Sequence, residues 1–281
     1  MPFPVTKLPY GHRCRLAELA TPVERYLFQV AAGNFSICPP KLQLHRSFEF
    51  ELNDTTTKQN TPMQPSLVYK DDDLVLCTGY MIFSDDDNSY YSTPNILNHT
   101  MLVPDSVEIY VSEIFETFRK AIPANVSLQN VIGTSINWVL PDVTDVFNVN
   151  FDDLFGMFPR LGSLSFEYPI LNAWMTDIVK YQKQPLDRLR MYTYGDHFVD
   201  SYNWNFDNLK AFFMAQQNDF CFILEISFNE DEVNNWIYNS LVPKMGLKLW
   251  EDSDVPPFRY IELCLSKQDV DYRFYLPPVE A

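Results

Sequence analysis

Few residues in this chain are of a type and spacing that carry out a reaction. Its four histidines, His12, His45, His99 and His197, stand far apart, and none has a Cys or carboxylate at metal-ligand spacing. Asp196-His197 comes nearest to a catalytic pair, but neighbours on a strand point to opposite faces, so a chance pairing in a loop accounts for it. There is no Gly-rich phosphate loop, no Gly-x-Ser-x-Gly elbow and no His-Glu-x-x-His zinc pair. The triplets Asp71-Asp72-Asp73 and Asp85-Asp86-Asp87 raise a calcium reading. They lack the Gly turn and closing Glu that such a loop needs, and they read as hairpin and loop tips. Cys14, Cys38, Cys77, Cys221 and Cys264 are odd in number and contain no Cys-x-x-Cys pair, which predicts free thiols in a reducing compartment. The expectation is a non-catalytic protein with no cofactor and no metal. A hydrolase would need a pocket holding several carboxylates, at least one with a strongly raised pKa. The remaining chemistry is recognition. Tyr192, Tyr194, Tyr202 and Trp204 cluster in sequence and are either anchors for a partner or packing beneath a long loop.

Composition narrows the classes further. With 46% hydrophobic residues, 22 Phe, 16 Tyr and 5 Trp, the 281-residue chain has material for a large core. Only 8 Gly and as many as 20 Pro predict short elements broken by corners. A formal net charge of -16 repels phosphate backbones and anionic bilayers, so neither nucleic acid nor membrane is an expected partner. The opening MPFPVTKLPYG has no apolar signal core, and no apolar run reaches spanning length. The expected location is cytoplasmic or nuclear.

Elements must position whatever recognition there is. Phe48, Phe50 and Leu52 alternate with Glu49 and Glu51, a half-buried strand. Ser66–Tyr69 and Leu74–Phe83 are further strand candidates. Residues 107–120 read as a helix, with Val107, Tyr110, Val111, Ile114, Phe115 and Phe118 on one side. A repeat then follows. Leu161-x-x-Leu164-x-Phe166 recurs as Leu186-x-x-Leu189-x-Met191 with one offset (186 − 161 = 25), and again as Cys221-x-x-Leu224-x-Ile226 and Phe258-x-x-Ile261-x-Leu263. Helical patterns at 172–181, 206–216 and 231–241 lie between. Strand then helix at this period resembles irregular leucine-rich repeats, which implies an α/β solenoid whose units stabilise one another by stacking. The competing expectation is a single α/β domain whose strands share an apolar pattern.

The strongest local signal is Leu8–Gly33. A short helix from about His12 to Ala20 carries Leu16 and Leu19. Thr21 then reads as an N-cap, with Pro22 at the first helical position and Glu24 closing a capping box. Val23, Tyr26, Leu27 and Val30 form an apolar stripe, and Gly33 supplies the stop. Leu8-Pro9, Leu16, Leu19 and Pro22 in this arrangement resemble an F-box, and the stretch is similar to nematode-type F-box-like proteins. The resemblance implies a short helical F-box-like segment over residues 1–45, ahead of an α/β leucine-rich-repeat-like domain over 46–281. Within that domain, 46–100 would be a β-rich opening and 101–281 the strand–helix repeats. It also implies docking on a Skp-type adaptor and cullin through Leu8, Pro9, Leu16, Leu19, Pro22 and Val23. The chain would then be the substrate receptor of a ubiquitin ligase, holding a protein target. Ile37-Cys38-Pro39-Pro40 stands where the family has a third helix. That departure keeps a second expectation open: a degenerate cap on a binding, inhibitory or scaffold protein.

Overall fold

The computed structural model describes residues 7–33, 42–51, 70–84, 94–111, 122, 125–138, 149–167, 173–194, 205–227, 230–252, 254–265 and 270–277. The fold is mixed α/β. The chain divides into two compact units, residues 1–105 with 118–128, and residues 106–117 with 129–281. The N-terminal helices and the strands of the 46–100 stretch therefore share one unit.

In the first unit, α1 (Tyr10–Leu19) and α2 (Pro22–Ala32) meet at a sharp corner. The expected capping box is formed: Thr21 Oγ1 accepts from the Glu24 N–H at 3.2 Å, and Glu24 Oε2 accepts from the Thr21 N–H at 2.8 Å. Gly33 ends α2 at φ 60, a conformation that costs a side chain but not glycine. Strands β1 (Arg46–Glu51) and β2 (Val75–Ser84) pair in parallel, Arg46 opposite Val75. Helix α3 (Pro94–His99) leads into β3 (Thr100–Leu102), which also pairs with β2 in parallel. Leu74, Val75, Leu76 and Cys77 are all buried in succession, as a strand covered on both faces requires. Val23 of α2 packs with Leu74, Leu76 and Met101, joined by Tyr26 and Val103. Asp71, Asp72 and Asp73 lie just ahead of β2, and the strand expected on their other side falls among the residues not described. Ser66–Tyr69 and Asp85–Asp87 lie outside the described residues.

The second unit opens with a correction. Residues 106–111 form strand β4 (Ser106–Val111) where the sequence predicts the opening of a helix over 107–120; residues 112–120 lie outside the described residues. Val107 and Ile109, both 0% exposed, alternate with Glu108 and Tyr110. That period of two fits the stretch as well as the helical spacing does, and pairing along the sheet decides it. After β4 come β5 (Gly133–Trp138), α4 (Phe151–Met157), β6 (Ser163–Phe166), α5 (Trp174–Tyr181), β7 (Arg188–Tyr194), α6 (Phe206–Met214) and β8 (Cys221–Ser227). Helix α7 (Glu230–Trp236) continues through a π-helical turn (Ile237–Leu241) into α8 (Val242–Met245). Pro243 has no N–H to return to the preceding turn, and the helix widens just there. Strands β9 (Lys248–Leu249), β10 (Tyr260–Leu265) and β11 (Val270–Tyr275) complete the unit.

Its strands stand in the order β4-β5-β6-β7-β8-β10-β11-β9. From β4 through β10 every pairing is parallel, and β11 and β9 are added antiparallel. Sequential order follows from one helical crossover between most neighbours. Two rows of side chains line the covered face. Val107, Thr134, Leu164, Leu189, Phe222, Ile261 and Phe274 form one; Ile109, Ile136, Phe166, Met191, Leu224 and Leu263 form the other. None is more than 4% exposed. The repeat motif is thus physical: Leu164 stands opposite Leu189, and Phe166 opposite Met191. Only the third copy is offset, with Phe222 and Leu224, rather than Leu224 and Ile226, level with Leu189 and Met191. An even shift keeps the same face.

Among the described residues, α4, α5, α6 and the π-helical turn pack on this one face. Phe151 of α4 lies 6.2 Å from Phe166, Trp174 of α5 lies 5.9 Å from Phe222, and Phe213 of α6 lies 6.2 Å from Phe222. Tyr238 in the π-helical turn lies 6.3 Å from Phe274. Among the described residues no helix is long and apolar enough to cross a membrane.

Candidate functional site

Two surfaces carry the residues singled out in the sequence. On the first unit, Leu8 and Leu16 are half-buried, Pro9 is exposed, and Leu19 is 69% exposed. Pro22 and Val23 face inward, and Val23, at 4% exposed, belongs to the core. The apolar stripe of α2 is therefore split. Val23 packs on the strands, whereas Val30 is 62% exposed and Leu27 is 39% exposed one turn before it. Exposed apolar side chains on a short helix pair are candidates for a partner surface.

Beneath that surface, α2 is tied to its own unit by Arg25. Its Nε donates to Gln43 Oε1 at 2.8 Å, Nη1 to the Ala20 carbonyl at 3.1 Å and Nη2 to Asp72 Oδ1 at 2.9 Å. Gln43 is buried and donates from Nε2 to the Asp72 carbonyl at 2.8 Å. Asp73 accepts from Arg46 Nη2 at 3.4 Å. The acidic triplet thus receives arginines. Sequence reasoning passed over Arg25 and Gln43, whose partners lie far along the chain.

On the second unit, the sheet face opposite the helices is mixed: buried Cys221, Ile223 and Tyr260 cluster there with Cys264 and Tyr275, and a largely polar row crosses the strands. Glu108, Ser135, Ser165, Arg190, Ile223, Glu262 and Arg273 follow one another across the strands. Glu225 pairs with Arg190, which donates from Nε at 2.6 Å, and Arg273 Nη2 donates to Glu262 at 2.8 Å. Tyr192 is half-buried under the Arg190 guanidinium, 5.3 Å from its ring centroid. Tyr194 ends β7 opposite Ser227. Tyr202 and Trp204 lie outside the described residues. Toward β4, Glu108 accepts from the Tyr110 hydroxyl at 2.7 Å and from Asn137 Nδ2. Burial, then the Glu108 charge, pushes the Glu167 carboxyl above the usual range. Burial and the Glu108 bond raise Tyr110 in the same way.

The reactive side chains are set for packing. Burial pushes the Cys77 and Cys221 thiols up to about 11, so both stay protonated and are poor nucleophiles near neutrality. His12 and His45 are exposed, His45 edge-on to Tyr26, and His99 Nδ1 lies 2.9 Å from the Asp73 carbonyl. Asp196 and His197 lie outside the described residues. No family model, no curated protein and no solved structure matches this chain.

Proposed function

We propose that this chain is a non-catalytic protein-binding adaptor, acting as the substrate receptor of a Skp–cullin–F-box type ubiquitin ligase. The N-terminal helix pair docks the adaptor, and the second unit, read as an irregular leucine-rich-repeat-like solenoid, holds the target on the sheet face opposite its helices. The observation that carries this reading is the exposure of Leu19 and Val30, at 69% and 62%, on helices joined by a fully formed capped corner. Apolar side chains left in water on a rigid element favour association. Of the residues carried by the resemblance, Leu8, Pro9, Leu16 and Leu19 would contact the adaptor, while Pro22 and Val23 hold the helix in place. Sequential parallel strands with helices on one face support the solenoid reading.

The test is co-purification with a Skp adaptor. The full chain is expected to form a one-to-one complex, and the Leu8→Ala, Pro9→Ala, Leu19→Asp triple variant to lose it. A variant that still binds overturns the assignment of that surface. A specific observation favours a second reading. Arg25, Gln43 and Asp72 lock α2 onto its own unit, which suits a structural cap on a binding or scaffold protein without a ligase role.

A further inference from the structure

The first unit contains a half-open cavity of about 480 Å³, a size that suits a small ligand or a side chain with its flanking backbone. Its apolar wall is Ala17 of α1, Leu42, Leu44 and Leu74. Leu42 and Leu44 are 57% and 79% exposed, and Leu74 is 1% exposed, so the wall runs from solvent down to the core. The rim is charged and unbalanced. Glu18, Asp72 and Asp73 line it together with Arg25, His45 and Arg46. Arg25 is committed inward, its side chain 15% exposed and bonded to Gln43, Asp72 and the Ala20 carbonyl. Glu18 Oε2 takes Arg15 at 2.9 Å, and Asp73 Oδ2 takes both Arg46 at 3.4 Å and the Lys70 N–H at 3.2 Å. The lining therefore carries three carboxylates against two arginines and His45, on a chain of formal charge -16.

We propose that this cavity binds a peptide segment of a partner protein, with an apolar side chain seated against Ala17, Leu42, Leu44 and Leu74 and an adjoining lysine or arginine held by Glu18 and Asp73. Apolar burial supplies the attraction and the rim charge selects a basic over an acidic sequence. The site uses none of the residues assigned to adaptor docking, so the two readings stand or fall separately.

Three fluorescein-labelled hexapeptides test it against the full chain by fluorescence anisotropy: Gly-Lys-Leu-Leu-Lys-Gly, the same peptide with Glu for Lys, and the same with Ser for Leu. The Lys–Leu peptide is expected to saturate, and each replacement to weaken binding by about tenfold or more. Leu44→Asp, at a position exposed enough to leave the fold intact by circular dichroism, is expected to weaken the Lys–Leu peptide to the same degree. Absence of saturable binding, equal binding of the three peptides, or undiminished binding to Leu44→Asp overturns the proposal.

Discussion

Cys77 and Cys221 are held protonated by burial, with pKa values near 11 against an ordinary 9.0. Between those values the folded chain binds protons that the unfolded chain has lost. Stability is therefore independent of these thiols below pH 9.0 and falls as pH rises toward about 11. Denaturant melts at pH 8 and pH 10.5 should show the loss, and Cys77→Ala with Cys221→Ala should flatten it. The same variant pair should leave native-state alkylation by iodoacetamide at pH 8 almost unchanged, since buried thiols react chiefly after unfolding. Glu167 is raised by burial too, with a neighbouring charge added. Its raised pKa reports burial and then the nearby Glu108 charge, so Glu167→Gln should stabilise the chain at neutral pH and not at pH 4.

Among the elements, legibility followed the range of the deciding contacts. The α1–α2 corner was readable because Thr21, Pro22, Glu24 and Gly33 act within one or two turns. The repeat strands were readable because Leu164, Leu189 and Ile261 recur at positions that the ladder aligns. Strand β4 was not, because Val107, Tyr110, Val111 and Ile114 fit a helix when read alone, and only pairing of Val107 with Thr134 selects the extended form. Helix α4 left a signal that was not used: Asn150 caps it, accepting from the Asp153 N–H at 3.3 Å, ahead of Phe151, Leu154 and Phe155. Of the candidate site, Leu19 was read as apolar surface and proved exposed, whereas the inward turn of Val23 depends on Leu74, Leu76 and Met101 and has no local mark. The stacked rows make a direct prediction. Leu189→Ala, at 0% exposed between Leu164 and Phe222, should cost about 2–5 kcal/mol in denaturant unfolding.

For the whole molecule, the decisive question is whether the N-terminal helices are a detachable module or part of the unit they sit in. Val23 and Arg25 place them in the first unit's core and hydrogen-bond network. Removal of residues 1–33 should therefore strip Leu74, Leu76 and Met101 of cover and lower the melting temperature by several degrees. A truncated chain that melts like the full one would mark an independent module. A lowered melt combined with intact adaptor binding by the full chain would give the helices both tasks.

The strand order ends on β9, just Lys248 and Leu249, both exposed, laid antiparallel on β11. A long parallel sheet that stopped at a full-length flat strand would offer its free amides and carbonyls to any passing chain. A reversed strand whose far end is capped by a two-residue fragment bearing a lysine offers fewer. At this end the sheet is less open to recruiting copies of itself, so growth of strand on strand from chain to chain is discouraged along that border.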